Sequence, residues 1–353
     1  MFKCKNRLNL KKKRNRPMFN KDFNSLIEVM REFSSEEKCF QHLEELYWQG
    51  VPVSPFAQDA KVYQSKKPFH YVCSKTKKKF TVLHGTMFHG TKIDLPTWFC
   101  AVYLVISFKK GISSAQLARD LNVSQKSAWH LLHRIRTCFG IENDESENFS
   151  GICEADETFV GGKNKNRHKD KKVAQSQGRS FKDKTPIVGI LQRGESEIIT
   201  RPHKQMPHIM VQERVITKHS QIKLRVTTDT KRASIQPFIR KVVEKDSVLI
   251  SDEWHGYKGL ENTYDHHVVD HGKKQYVDFD NPEIHSNSVE SFWGILKRGN
   301  NGIYNWWSPK HMQKYADEFA FRFNLRGMKN GERFNYLLLN SDKRTKYREL
   351  TNA

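Results

Sequence analysis

The stretch Val248-Leu-Ile-Ser-Asp-Glu-Trp-His-Gly-Tyr257 decides the fold class of this chain. Its first residues form a short, mostly apolar run typical of a buried strand, and the run ends on the carboxylate of Asp252. An earlier segment, Gly151 to Val160, also has the composition of a strand and contains Asp156. Because a helical pattern at Ser234 to Val243 separates the two strand patterns, the second half of the chain is predicted to be an α/β domain with a mixed sheet.

A third acidic residue, Glu290, lies on a helix predicted from His285 to Lys297. Hard divalent cations such as Mg²⁺ take oxygen ligands and keep positions open for phosphate oxygens. Two such ions held by carboxylates activate a water or a 3′-hydroxyl and stabilise the leaving oxygen. Two strand acids and one helix acid therefore predict a metal site of Asp156, Asp252 and Glu290. The alternative is that each acid is an ordinary turn or capping residue.

Other polar residues share the helix of Glu290. Lys297 follows Glu290 by seven positions, so two helical turns place both on one face, where the lysine would hold a DNA phosphate. A plain surface charge is the alternative for Lys297. Asn287 lies one turn before Glu290 and would supply a neutral oxygen ligand or position a water. Arg298 is assigned to DNA contact together with Lys297.

The composition indicates a polyanionic partner. The chain has 61 Lys and Arg against 39 Asp and Glu, a formal net charge of +22. Such an excess favours double-stranded DNA, because each neutralised phosphate releases a counterion; a general overuse of lysine is the alternative. No apolar run reaches the length of a membrane span, and the basic N-terminal residues are not followed by the apolar stretch expected of a secretory signal. We therefore expect a cytoplasmic protein, nucleoid-associated when bound to DNA, with no membrane partner.

The segment from Gly111 to Arg136 predicts two short helices joined by a tight turn. Ser113 or Ser114 would cap the first helix, and Ser124 would cap the second. This arrangement is typical of a helix-turn-helix, and an ordinary helical hairpin is the alternative. The exposed face of the second helix is predicted to offer polar side chains to DNA: Gln125, Lys126, His130, His133 and Arg134.

These patterns divide the chain into six segments: a basic arm (1–21), a helical segment (22–48), a small β element (49–92), a helix-turn-helix region (93–140), the α/β domain (149–326) and a C-terminal tail (327–353). A basic loop at 163–184 is also expected to contact phosphates. The DNA-contacting residues assigned to it are Lys163, Lys165, Arg167 and Lys169.

Four longer strings resemble one family. They are Glu154-Ala-Asp-Glu-Thr-Phe-Val-Gly-Gly-Lys-Asn-Lys-Asn-Arg-His168, Ser251-Asp-Glu-Trp-His-Gly-Tyr257, His285-Ser-Asn-Ser-Val-Glu-Ser-Phe-Trp-Gly-Ile-Leu-Lys-Arg-Gly299 and Ser308-Pro-Lys-His-Met-Gln-Lys-Tyr-Ala-Asp-Glu-Phe-Ala-Phe-Arg-Phe-Asn324. In this order they resemble the IS1595 (ISXO2-like) family of bacterial insertion-sequence transposases, over residues 34 to 326.

The resemblance implies an RNase H-like catalytic domain of the DDE type, with Asp156 and Asp252 as the first two catalytic acids. Family members vary between Asn and Glu at the third position. Asn287 and Glu290 both stand in the matching motif here, and Glu290, with Lys297 beside it, is the residue we expect in that role. The implied cofactor is Mg²⁺ or Mn²⁺, with two ions.

The resemblance is incomplete in the small β element. Family members carry a zinc ribbon built from two Cys-x-x-Cys knuckles. The corresponding positions here hold Ser54, Ala57, Cys73 and Thr76. One thiol does not hold a structural Zn²⁺, so we expect a degenerate, metal-free ribbon.

The function implied by the family is transposition. The protein would bind the terminal inverted repeats of an element, hydrolyse a phosphodiester and join the freed 3′-hydroxyl to target DNA. Both ends must be held together, so a homodimer or higher oligomer on DNA is expected. Two alternatives remain open. One is a catalytically silent or domesticated DNA-binding protein, and the other is a metal-dependent nuclease without strand transfer.

Overall fold

The computed structural model describes residues 23–145, 148–161, 168–174, 184–203, 205–269 and 283–352. The predicted basic arm and the loop residues Lys163, Lys165 and Arg167 lie outside these ranges. The chain divides into two compact units. The first consists of Met1–Glu142 and Met328–Ala353, and the second of Asn143–Gly327.

Helices predominate in the first unit and flank the sheet of the second. In chain order they are α1 (Leu26–Glu32), α2 (Glu36–Trp48), α3 (Leu95–Ser107), α4 (Ser114–Leu121), α5 (Gln125–Glu145), α6 (Arg232–Val242), α7 (Asn287–Gly299), α8 (Met312–Asn324), α9 (Asn330–Leu339) and α10 (Tyr347–Thr351). Within the described ranges, no helix combines the length and the apolar composition that crossing a lipid bilayer requires.

In the part of the chain that the structure describes, the strands form three sheets. In chain order they are β1 (Val62–Gln64), β2 (Tyr71–Cys73), β3 (Lys79–Phe80), β4 (Ile152–Gly161), β5 (Lys184–Gln192), β6 (Glu195–Pro202), β7 (Met210–Lys218), β8 (Gln221–Val226), β9 (Val248–Asp252) and β10 (Asp265–Val269). The sheets are β1-β2-β3, β10-β9-β4-β5-β8 and β6-β7.

Serine side chains begin several helices of the first unit. The hydroxyl oxygens of Ser25, Ser35 and Ser113 accept hydrogen bonds from backbone N–H groups in the first turns of α1, α2 and α4. Helix α4 ends at Asn122, whose left-handed conformation (φ 52°) makes the tight turn into α5. The cap at Ser113 is one of the two expected from the sequence for this helix.

The segment 327–353, treated in the sequence as a tail, contains α9 and α10. Phe334 of α9 is fully buried, and its ring lies 5.4 Å from that of Phe99 and 5.8 Å from that of Phe33. Asn335 forms a hydrogen bond of 2.8 Å with the imidazole of His42. The C-terminal helices are therefore part of the first unit's core.

The five-stranded sheet of the second unit is mixed, as the sequence predicts. Strand β4 pairs antiparallel with β5, and β5 pairs antiparallel with β8. On its other side β4 pairs parallel with β9, which pairs parallel with β10. Side chains alternate between the two faces of β5: Ile187 and Leu191 pack beneath α7 and α8, whereas Val188 and Ile190 pack against α6.

The two-stranded β6–β7 ribbon was only half predicted. The sequence indicates a strand at Glu197 to Thr200 but no strand between there and Lys223, whereas the structure has β7 at Met210–Lys218 paired antiparallel with β6. Most residues of both strands are exposed. Because neither face of the ribbon is fully buried, its sequence lacks the alternation that identifies a half-buried strand.

Candidate functional site

The two strand acids lie side by side. The parallel pairing of β4 with β9 sets Glu154 against Ile250, and continuing this register by two residues places Asp156 beside Asp252. Asp252 ends β9 and is buried, and one of its carboxylate oxygens accepts a hydrogen bond of 3.0 Å from the N–H of Trp254. The predicted position of Asp252 at a strand end is confirmed.

Alternation along β4 separates its acids onto two faces. Glu154 and Asp156 face α7, because they accept hydrogen bonds from Val289 and Trp293 of that helix, each 2.8 Å long. Glu157 accepts a hydrogen bond of 2.6 Å from the hydroxyl of Tyr257, which packs against the opposite face. Only Glu154 and Asp156 therefore share the face of the candidate site.

Trp293 connects the helix to the first acid. Its indole Nε1–H donates to Oδ2 of Asp156, and its ring is buried in the core under α7 and α8. Gly189 of β5 lies directly opposite Asp156 in the sheet, and a Cβ there would stand 2.6 Å from the Trp293 ring. The absence of a side chain at Gly189 therefore makes room for the indole.

The environment of Asp156 disfavours its ionised form. Burial raises the pKa of its carboxyl to about 6, with further contributions from the negative charges of Asp252 and, more weakly, Glu290. The hydrogen bond from Trp293 acts in the opposite direction and lowers the pKa. All three predicted acids thus interact electrostatically.

Helix α7 presents its predicted functional residues on an exposed face. Asn287, Glu290, Lys297 and Arg298 are exposed, while Val289, Phe292, Trp293 and Leu296 are buried. Lys297 lies about 10 Å along the helix axis from Glu290, from the rise per residue. At that separation Lys297 could contact a phosphate group next to the acids, but not a group that the acids themselves bind.

A buried network that the sequence analysis missed positions the start of α7. The carboxylate of Glu154 is fully buried and accepts the N–H of Val289, in the first turn of the helix. Its other oxygen accepts a 2.5 Å hydrogen bond from Nε of Arg193. Arg193 in turn donates to the backbone oxygen of His285, also at 2.5 Å. Glu154 therefore joins β4 to the segment that leads into α7. It stands two residues before Asp156, a spacing that puts both on one face of the strand and that would have indicated its position.

The donor set fits a divalent cation in its chemistry. Two adjacent carboxylates that repel each other are oxygen ligands of the kind that Mg²⁺ and Mn²⁺ bind, and a cation would relieve the repulsion that raises the pKa of Asp156. Within the described ranges, however, no three or more His, Cys, Asp and Glu side chains are grouped closely enough to hold an ion. Glu290 as a third ligand therefore stays a prediction.

The prediction that these side chains of α5 form an exposed, DNA-contacting face is partly wrong. Gln125 and Lys126 are exposed, but His130 is half-buried, and His133 and Arg134 are buried. Arg134 donates a 2.7 Å hydrogen bond to the backbone oxygen of His89, because this face of α5 is covered by the loop that precedes α3. His133 and Arg134 are thus core residues of the first unit. The basic loop is the other region predicted to contact DNA. Its residue Lys169 lies within the described ranges and is exposed.

The four zinc-ribbon positions are occupied by a hydrogen-bonded cluster. Ser54 is buried, and its hydroxyl oxygen accepts from the N–H groups of Phe56 (3.2 Å) and Ala57 (3.4 Å). Hydrogen bonds from Ser54 and then Thr76 lower the pKa of the Cys73 thiol to about 7. One thiol with two hydroxyls is a poor donor set for Zn²⁺, so a zinc-free ribbon remains our prediction.

Comparison with known proteins gives a family match, a relative and two aligned solved structures. Residues 148–324 match the family model of the ISXO2-like transposase domain. A relative described as an uncharacterized protein in transposable element ISH50, from Halobacterium salinarum, is 26% identical over 292 residues, which cover 79% of this chain and 86% of the relative. A pre-cleavage Mos1 transpososome aligns with 91% of this chain and 97% of its own at 13% identity and a TM-score of 0.24. The Mos1 strand transfer complex aligns with 91% and 96% at 14% identity and a TM-score of 0.25.

Proposed function

This chain belongs to the ISXO2-like transposase family, and we propose that it cleaves DNA at the ends of an insertion sequence and joins the freed strand to target DNA. The observation that carries this proposal is the pair Asp156 and Asp252 on neighbouring strands, beneath the helix that bears Glu290. The strand order, with β4 central between parallel β9 and antiparallel β5, supports an RNase H-like domain of the DDE type.

Asp156 and Asp252 would hold Mg²⁺ or Mn²⁺, with Glu290 as the third acid and Asn287 as the alternative oxygen ligand. When bound, two such ions would activate a nucleophilic water or 3′-hydroxyl and stabilise the leaving oxygen. Trp293 would keep the Asp156 carboxylate oriented through its hydrogen bond. Glu154 would hold the first turn of α7, and therefore Glu290, against β4.

The reaction has two displacements at phosphorus. In the first, a water oxygen would lose a proton and attack the phosphorus at the element end, and the 3′-oxygen of the element's last nucleotide would leave and take up a proton. In the second, the freed 3′-hydroxyl would lose its proton and attack a target phosphodiester, and the 3′-oxygen of the target strand would leave and take up a proton. Lys297 and Arg298, exposed at the end of α7, would neutralise the phosphates beside the cut.

DNA contacts elsewhere in the chain are proposed for Gln125, Lys126, His130 and Lys169, of which His130 is half-buried and the others exposed. These residues would contact the sugar-phosphate backbone of double-stranded DNA, in keeping with the net charge of +22. Two element ends require at least a dimer on DNA. Acting on cellular DNA, the protein would be located in the cytoplasm.

The test is a strand-transfer assay with labelled end fragments, cut from the DNA that flanks the gene, in Mg²⁺ or Mn²⁺. We expect nicked and joined products from the wild type and none from Asp252→Asn. Asp246→Asn is the matched control: Asp246 is exposed in the same segment, and its positive φ of 62° is one that asparagine tolerates.

Each alternative has its own outcome. Binding of the end fragments without nicking or joining in either metal would overturn catalysis and leave a silent DNA-binding protein. Nicking without joining would leave a metal-dependent nuclease. Equal activity of Asp252→Asn and the wild type would remove the proposed acids from the reaction.

A further inference from the structure

The C-terminal basic segment, residues 341–350, packs on the first turns of helix α5. Both belong to the first unit. The ring of Tyr347 lies 5.5 Å from that of His130 and 6.2 Å from that of Trp129, edge to face in both cases. The ammonium group of Lys126 lies 5.1 Å from the centre of the Tyr347 ring, which is a cation–π distance. The segment therefore adjoins the end of α5 that is predicted to contact DNA.

Buried residues hold the C-terminal basic segment in place. Ser341, Thr345 and Leu350, at its start, middle and end, are buried. The backbone oxygen of Ser341 accepts a 2.7 Å hydrogen bond from the N–H of Met87, in the loop that precedes α3. Because these anchors are spaced along the segment, it keeps a fixed place on the first unit, and the side chains between the anchors are exposed.

Most of these exposed side chains are basic. The segment contains four Lys or Arg residues and two acids, and all six are exposed. The basic residues are Lys343, Arg344, Lys346 and Arg348. Lys346 and Arg348 flank Tyr347 in the sequence, so they place positive charge on both sides of the ring that contacts α5. Together with Lys126 they make this part of the first unit a basic surface.

The charge of Arg344 adds to that of neighbouring basic groups. Burial is the main cause that lowers the pKa of His89 to about 4 and also lowers the pKa of His84, and the positive charge of Arg344 contributes to both shifts. The charge of Arg344 acts in the same direction on the pKa of Arg134. A polyanion stabilises such an arrangement, because each bound phosphate offsets the repulsion between the like charges.

We propose that the C-terminal basic segment is a DNA-contacting surface that extends the one on α5. Its four basic side chains would bind phosphates of a double-stranded element end, next to the phosphate that Lys126 contacts. A segment that shielded α5 from DNA would be expected to be acidic, like the phosphates that it would replace, whereas this one is basic. The proposal rests on the proposed function and adds a DNA contact site to it.

Binding of a labelled end fragment by the full chain, without divalent metal and over a series of salt concentrations, tests the proposal. Lys346→Gln/Arg348→Gln should reduce the slope of the logarithm of the binding constant against the logarithm of the salt concentration by about 1.8, since each phosphate contact contributes about 0.9. An unrelated duplex of the same length should show the same reduction, because phosphate contacts carry no sequence information. Arg31→Gln/Lys38→Gln is the matched control and should keep the wild-type slope. Both of its residues are exposed in the first unit, and it changes the net charge equally.

Two results would overturn the proposal: the wild-type slope for Lys346→Gln/Arg348→Gln, or an equal reduction in both variants, which would make net charge alone responsible. Circular dichroism establishes whether the variants are folded. If Lys346→Gln/Arg348→Gln is not, Lys343→Gln/Arg344→Gln decides, with the same expected slope. Failure of the proposed function is distinguishable. A wild type that binds the fragment but neither nicks nor joins it overturns catalysis and leaves this contact site standing, whereas a wild type that binds no DNA overturns both.

Discussion

At the residue scale, the position of Asp156 depends on a glycine across the sheet. Gly189 pairs with Asp156, and the Trp293 ring fills the space where a side chain at Gly189 would stand, with a Cβ only 2.6 Å from the ring. Gly189→Ala should therefore push the indole away and break its bond to the Asp156 carboxylate. We expect the free energy of unfolding to fall by about 1–3 kcal/mol, measured by urea denaturation, with reduced cleavage activity.

Gly302→Ala is the control for the glycine change itself. A Cβ at Gly302 meets no atom within 4 Å, so alanine there should shift the free energy of unfolding by no more than about 1 kcal/mol in either direction. If Gly189→Ala is as stable as Gly302→Ala, the indole does not depend on the space at Gly189.

Single residues were predictable where their chemistry stands out in the sequence. Asp156 and Asp252 could be read from acids placed in apolar strand patterns, and the structure puts them side by side. Arg134 was assigned to DNA because one helical face carries several polar residues. A helical period identifies faces but does not say which face another element covers, and here the loop that contains His89 covers Arg134.

At the scale of elements, helix α7 is anchored through its N-terminus. The buried Glu154 carboxylate accepts the N–H of Val289 and pairs with Arg193, so a negative charge stands where the helix dipole favours it. Glu154→Gln keeps an acceptor but leaves Arg193 without its charge partner. We expect the free energy of unfolding to fall by about 3 kcal/mol. The cleavage rate should also fall, because the first turn of α7, which carries Glu290, would move.

The matched control is Glu195→Gln, which removes the acid of an exposed ion pair with Lys218 in the same unit. Exposed pairs contribute at most about 1 kcal/mol, so this variant should unfold and cleave nearly as the wild type does. Guanidinium denaturation and the end-cleavage assay measure both effects. Equal loss in the two variants would mean that Glu154 does not hold the helix.

Elements were predictable where they bury one face. Strands β4 and β9 and helix α7 were located within about two residues, because burial imposes a period of 2 or 3.6 on their apolar residues. Strand β7 was missed because most of its residues are exposed, so its apolar residues follow no burial pattern. The start of α7 depends on Glu154, over 130 residues earlier, and no local pattern reveals such a contact.

At the scale of the whole molecule, the chain returns to its first unit after completing the second. The segment Met328–Ala353 belongs to the same unit as Met1–Glu142, although the residues directly before it belong to the second unit. A short polar stretch followed by Asn330–Leu339 looks like a tail in the sequence. Its apolar residues acquire a role only because Phe33 and Phe99, more than 200 residues earlier, form the surface that they cover.

This division predicts two separable thermal transitions, one for each unit, in calorimetry of the full chain. Phe334 and Phe319 are both buried phenylalanines, the first in the core with α2 and α3 and the second in the core under α7 and α8. Each change to alanine should cost about 3–5 kcal/mol, because it removes buried apolar surface and leaves a cavity. Phe334→Ala should lower only the transition of the first unit, and Phe319→Ala only that of the second. If either change lowers both transitions together, the units unfold as one cooperative body and the C-terminal helices serve the whole chain rather than the first unit alone.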